Sequence, residues 1–264
     1  MRIALAQLTT SRSIDDNLSL VRSTLADAKR RHADLVVFPE ATMRAFGNSL
    51  VDVAEPLDGP FAHAVRAAAD EAGVAVVLGM FTPGEDGKVR NTLLVHGRGV
   101  DTHYDKIHLY DAFGFAESDT VTAGKEPVTF TLDGVTFGLA TCYDVRFPDL
   151  FTANADDGAQ IQIVCASWGA GPGKAEQWDL LVRARAVDST SFVVAVGQSD
   201  PSAAGVEARY GAPTGIGRSA VVSPYGHLIE RAGSGPETLY VDLDVAEVAK
   251  AREALPVLAN RVRL

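Results

Sequence analysis

Val135-Thr136-Phe137-Gly138-Leu139-Ala140-Thr141-Cys142-Tyr143-Asp144-Val145-Arg146-Phe147-Pro148 is the stretch whose reading decides the fold. Its apolar, β-branched first half reads as a buried strand. Pro148 suits the first turn of a helix, where a missing N–H costs nothing. Cys142 therefore stands at a strand-to-helix corner. There a sulfur is exposed while the backbone N–H groups after it remain available to an anion. A thiol so placed is a candidate nucleophile and points to an enzyme using covalent catalysis.

Working outward, strands and helices alternate on both sides of this corner. Ile3–Leu8 reads as a strand, followed by a helix with Ile14, Leu18, Val21 and Leu25 on one face. Leu35–Phe38 is an apolar strand running into Pro39-Glu40. Phe61–Ala72 is an Ala-rich helix stopped by Gly73, and Val74–Gly79 is a buried strand. Hairpins follow: Val89–His96 with Thr102–His108 around Gly97-Arg98-Gly99, then two strands joined by Asp133-Gly134. Ile161–Ser167, a helix near Glu176–Ser189 and Phe192–Gly197 restore the alternation. Ser219–Ser223 and Leu239–Leu243 are later strands, and Asp244 caps a closing helix that Pro256 ends. With no linker, repeat or low-complexity tract, residues 1–264 are expected to form a single α/β domain, layered α-β-β-α.

Composition limits what such a domain does. At 264 residues and 47% hydrophobic, the chain has ample material for a large core. Its formal net charge of −10 argues against a nucleic-acid surface, which needs clustered Lys and Arg. Two cysteines at unrelated positions make no disulfide framework and suit reduced thiols in the cytoplasm. Met1–Gln7 is too short an apolar run for a signal peptide, and no segment is long enough to span a membrane.

Three strand ends carry chemistry: Glu40, Lys106 and Cys142. Taken singly each has a plainer meaning, as a solvated strand end, a hairpin surface charge and a core thiol. Cys165, inside an apolar run, reads as core. Brought together, carboxylate, ammonium and thiol fit acyl transfer. The carboxylate takes the thiol proton, and the ammonium favours thiolate and steadies an oxyanion. The backbone N–H of Tyr143 is the natural second oxyanion donor.

Together the stretches Phe38-Pro39-Glu40, Asp105-Lys106-Ile107-His108-Leu109 and Thr141–Pro148 resemble, in order, the signatures of the nitrilase superfamily of carbon–nitrogen hydrolases. The resemblance extends to Leu181–Ala186 and Gly217–Gly226. It implies a four-layer αββα fold, a Glu40–Lys106–Cys142 triad, a second glutamate at Glu117, no metal or organic cofactor, and pairing through the helical layer into at least a homodimer. Lys106–Phe113, Ser167-Trp168 and Leu255–Arg261 look like the deaminated-glutathione amidase branch, with ω-amidases nearby. That implies a small-molecule amide bearing a carboxylate. One segment departs from the pattern: Glu176-Gln177-Trp178 stands where family members carry Ala-His-Trp or His-His-Trp. Lys174, Arg146 and Arg183 are candidate partners for substrate carboxylates. Arg146 and Arg183 have an equally good reading as ion-pair partners of acids such as Asp144. Phe46, Phe113, Trp168 and Gln177 are further candidates for the pocket.

Other matches fail. Gly169–Lys174 is one residue short of a phosphate loop, and Ala175 stands where a hydroxyl should bind magnesium. Gly215–Ala220 leads into a strand rather than a helix, against a dinucleotide fingerprint. The six histidines show no zinc-like pairing, and His108 is the candidate base of a papain-type alternative. A true nitrilase, an N-carbamoyl amidohydrolase, an acyltransferase and a catalytically silent metabolite-binding protein are the remaining rivals.

Overall fold

The computed structural model describes residues 1–112, 114–207 and 212–262. One sheet contains, in chain order, Arg2–Gln7 (β1), Leu35–Val37 (β2), Ala75–Pro83 (β3), Val89–Gly97 (β4), Val100–Asp105 (β5) and Glu237–Asp242 (β14). Asp111–Ala112 (β6) and Phe115–Ala116 (β7) form a small hairpin outside it. The second sheet contains Thr129–Leu132 (β8), Val135–Thr141 (β9), Ile161–Ala166 (β10), Phe192–Gly197 (β11), Ala220–Val222 (β12) and Leu228–Arg231 (β13). Their spatial orders are β14-β1-β2-β3-β4-β5 and β13-β12-β11-β10-β9-β8. Each sheet has a parallel centre, β1–β2–β3 or β9–β10–β11, flanked by antiparallel strands.

Alternation of side chains across each strand builds the layers. Ile3, Leu5, Val37, Val77 and Leu93 face Phe137, Leu139, Ile163 and Val194 across the inter-sheet core. The opposite face of the first sheet, with Ala4, Val36, Phe38, Val76 and Leu78, is covered by Ile14–Arg30 (α1) and Pro60–Ala72 (α2). Pro148–Asp156 (α3) and Lys174–Ser189 (α4) cover the second sheet through Leu150, Phe151, Trp178 and Val182. Ala246–Ala254 (α5) and Val257–Asn260 (α6) close the chain. This is the α-β-β-α sandwich expected from the sequence.

Topology explains why distant residues share one end. Parallel strands β1–β3 have their C-terminal ends on one edge, where Glu40 follows β2. Two antiparallel steps, β3 to β4 to β5, turn β5 back to their direction, so Lys106 emerges on that same edge. In the facing sheet Cys142, Ser167 and Gln198 follow the C-terminal ends of the parallel strands β9, β10 and β11. Ligands of α/β sheets bind at such ends.

Some local boundaries differ from the sequence reading. β9 does not pass directly into a helix: a 3₁₀ turn, Cys142–Arg146, intervenes before Pro148 opens α3. The β6–β7 hairpin and β13 leave no mark in the sequence pattern, because each is short and lacks clear alternation. Among the described residues no helix is long and apolar enough to cross a membrane.

Candidate active site

Cys142 adopts φ 48°, left-handed for a non-glycine residue, and Ala41, directly after Glu40, has φ 58°. Each left-handed residue costs roughly 1–2 kcal/mol, and such strain clusters where geometry serves function. The turn lifts the thiol out of the core, half-buried at the floor of a cavity of about 480 Å³. Tyr143 occupies the first turn of the 3₁₀ helix, where backbone N–H groups have no partner within the helix.

Glu40, Lys106 and Glu117 are 1, 2 and 5% exposed, so their charges must be satisfied by one another. Lys106 Nζ donates to Glu40 Oε1 at 3.2 Å and to Glu117 Oε2 at 2.8 Å. Ser167 N–H donates to Glu40 Oε2 at 2.7 Å, and Asn91 Nδ2 to Glu40 Oε1 at 2.7 Å. Tyr110 N–H fixes Glu117 Oε2 at 2.7 Å, while Gln198 Nε2 holds the Glu40 carbonyl at 2.9 Å. The Cys142 thiol points toward the Ser167 carbonyl, 3.9 Å away.

These contacts set the proton affinities. Burial raises the Glu40 carboxyl above its ordinary value; Lys106 opposes that rise and Glu117 adds to it. Burial works against the Lys106 charge, but Glu40, Glu117 and Cys142 outweigh it and hold the ammonium well above its usual range. The Cys142 thiol is pushed up by burial first and by Glu40 second, so it rests protonated beside a carboxylate. A thiol, a buried carboxyl group and a fixed ammonium are groups from which acyl transfer can be built.

A second buried centre ties two of these loops together. Asp144 Oδ2 accepts from the Tyr104 hydroxyl at 2.6 Å and from Thr141 N–H at 2.8 Å. Its Oδ1 accepts from His108 N–H at 2.9 Å and pairs with His108 Nδ1 at 2.7 Å. Lys106 lies between Tyr104 and His108, and Cys142 between Thr141 and Asp144, so one carboxylate clamps both. The ion pair of Asp144 with Arg146 or Arg183 does not form. Arg146 Nη2 instead donates to Gln177 Oε1 at 2.7 Å, and Arg183 Nε to the Gly226 carbonyl at 2.9 Å. His108 is stacked on Phe147 at 3.7 Å and pairs with Asp144, while the Cys142 thiol points to the Ser167 carbonyl rather than to this imidazole, against a papain-type pairing.

Phe46, Arg146, Trp168 and Lys174 all line the cavity. Phe46 packs edge-on against Phe81 at 5.8 Å. Arg146 lies over the Trp168 ring at 5.2 Å, and Lys174 over Tyr110 at 5.4 Å. Gln177 is exposed and reaches the cavity only through Arg146, while its neighbour Trp178 is buried. Phe113 lies outside the described residues. Sequence reasoning missed Asn91, Tyr110 and Gln198 because polar residues within or beside strands have many ordinary roles. Ser167 contacts Glu40 through its backbone N–H, which carries no side-chain signal in the sequence. Among the described residues no group of His, Cys, Asp or Glu is placed to hold a metal ion.

The sequence profile of the Carbon-nitrogen hydrolase family matches residues 2–253. The chain belongs to this family. This carbon–nitrogen hydrolase is 55% identical to Hydrolase Rv0480c of Mycobacterium tuberculosis, over 99% of this chain and 95% of that one. It is 32% identical to the deaminated glutathione amidase of Escherichia coli O157:H7, over 99% and 97% of the two chains. Its fold superposes on XC1258 of Xanthomonas campestris, a CN-hydrolase superfamily protein with an arsenic adduct in the active site. The TM-score is 0.86 at 26% identity, over 100% of this chain and 98% of that one. The protein is a hydrolase acting on C–N bonds.

Proposed function

We propose that this hydrolase cleaves a small carboxylate-bearing ω-amide, deaminated glutathione-like, through a thioester on Cys142. The observation carrying this reading is Glu40, Lys106, Glu117 and Cys142 meeting below a wall that presents Arg146 and Lys174. Cys142 Sγ attacks the amide carbon as its proton passes to Glu40. Lys106 and Tyr143 N–H steady the oxyanion. As the tetrahedral intermediate collapses, Glu40 returns the proton to the leaving amine. Water then loses a proton to Glu40 and attacks the thioester, and collapse releases the acid and restores the thiol. Glu117 positions Lys106 throughout.

The two cations suit substrate carboxylates, Arg146 in the planar manner of a guanidinium. A cavity of about 480 Å³ exceeds the need of a simple primary amide such as 2-oxoglutaramate and favours a larger acyl or amine portion. ω-Amidase action on 2-oxoglutaramate is the second reading. The test is release of 2-oxo acid from both compounds, with Cys142→Ala as the blank. Turnover by the parent and none by the folded variant is expected. Full activity of Cys142→Ala refutes the mechanism, and inactivity of the parent on both compounds refutes the substrate class. The same reading carries a cytoplasmic homodimer; molar mass by light scattering checks the dimer, and a monomer at working concentration refutes that state.

A further inference from the structure

Asn91, in β4, is 1% exposed and lies between the two buried acids. Its Nδ2 donates to Glu40 Oε1 at 2.7 Å and approaches Glu117 Oε1 at 3.5 Å. Its backbone carbonyl accepts from Lys106 N–H at 2.9 Å, so one residue touches both carboxylates and the lysine main chain. Its Oδ1 is buried without a hydrogen-bond partner among the described residues. Leaving a buried carbonyl unsatisfied is costly. The carboxamide is nonetheless turned with its donor toward the acids.

We propose that Asn91 is a positioning residue that holds Glu40 as a working base by supplying a neutral donor between two carboxylates that share one ammonium. The inference rests on the reading of Glu40 as the base. Electrostatics explains why neutrality matters. Glu40 and Glu117 together carry two negative charges against the single positive charge of Lys106. An apolar side chain at 91 leaves Glu40 Oε1 with Lys106 alone and drives the carboxyl toward its protonated form. A cation there overstabilises the carboxylate and weakens it as a base. An amide donor does neither, and it does not titrate.

The groups facing Glu40 come from several elements. They are Lys106 after β5, Glu117 in the 3₁₀ turn Glu117–Asp119, Cys142 after β9, and Cys165 in β10. Ser167 N–H is the other neutral donor to its carboxylate. Burial already raises the Glu40 carboxyl, so losing a donor raises it further.

The test is the pH dependence of Cys142 alkylation by iodoacetamide, which needs the base but no substrate. In Asn91→Ala the acid limb moves up by about one pH unit, because the Glu40 carboxylate has lost a donor. In Asn91→Asp the introduced carboxyl loses its donor on ionising and adds a like charge beside Glu40, so the acid limb moves up at least as far as in Asn91→Ala. Profiles of parental shape in both folded variants, scaled only in amplitude, overturn the proposal. If melting shows Asn91→Ala unfolded, the near-isosteric Asn91→Asp decides alone, and an acid limb left at the parental pH overturns it. Glu40→Gln separates the two levels. If that variant keeps the parental profile, the reading of Glu40 as base fails. If it loses the acid limb while the Asn91 variants keep theirs, only the role of Asn91 fails.

Discussion

Gly79 in β3 backs directly onto the chain that carries Glu40, and replacing it with Ala tests how tightly that carboxylate is placed. A Cβ at 79 would lie 2.8 Å from Ala41 N, 2.9 Å from Glu40 Cα and 2.9 Å from the Pro39 carbonyl oxygen. Ordinary contact begins at 3.4 Å, so three backbone atoms must retreat by about half an ångström. None is the end of a flexible side chain, and the segment is also pinned by Met43 N–H donating to the Gly79 carbonyl at 3.0 Å. Overpacking of this kind costs about 1–3 kcal/mol of stability. Displacement of a catalytic group by a fraction of an ångström to 1 Å lowers turnover by roughly 10–100-fold. Because Arg146 ends the 3₁₀ turn after β9 and Lys174 opens α4, both on the facing sheet's side, kcat falls while KM changes little. Steady-state kinetics and urea unfolding of Gly79→Ala measure both quantities. A kcat within about twofold of the parent at unchanged stability would refute the claim that backbone contact sets Glu40.

Three further expectations follow from the site. The Cys142 thiol is pushed up and the Glu40 carboxyl raised above its ordinary 4.5, so iodoacetamide alkylation climbs as pH rises and Glu40 sheds its proton. Glu40→Gln should slow that alkylation by about 100-fold at neutral pH, whereas a flat parental profile from about pH 5 to 9 would reveal a preformed thiolate. Arg146→Ala should raise KM for a carboxylate-bearing amide by about 10–100-fold while sparing stability; an equal loss on an uncharged amide would assign Arg146 another role. Asp144→Ala strands several buried donors at once and should cost about 3 kcal/mol or more, read by urea unfolding, with a loss below about 1 kcal/mol showing that the clamp is dispensable.

The sequence by itself determined the alternation of helices and strands, because apolar periodicity and the Gly, Pro and Asp punctuation are local properties of the chain. It also determined the ends at which Glu40 and Cys142 appear, since each closes an apolar strand run, and that of Lys106, which follows an alternating hairpin strand. Tertiary structure alone decided that these ends meet. Two antiparallel steps carry Lys106 back to the edge of Glu40, and face-to-face packing of the sheets sets Cys142 opposite both. It alone decided the partners as well. Asp144 gathers Tyr104, His108 and Thr141 rather than an arginine, and Asn91 turns its amide between two carboxylates. The physical reason is that a buried charge is satisfied by whatever donors the fold brings within about 3 Å. Apart from Thr141 those donors lie 36 to 51 residues away, and several are backbone N–H groups that every residue but proline possesses.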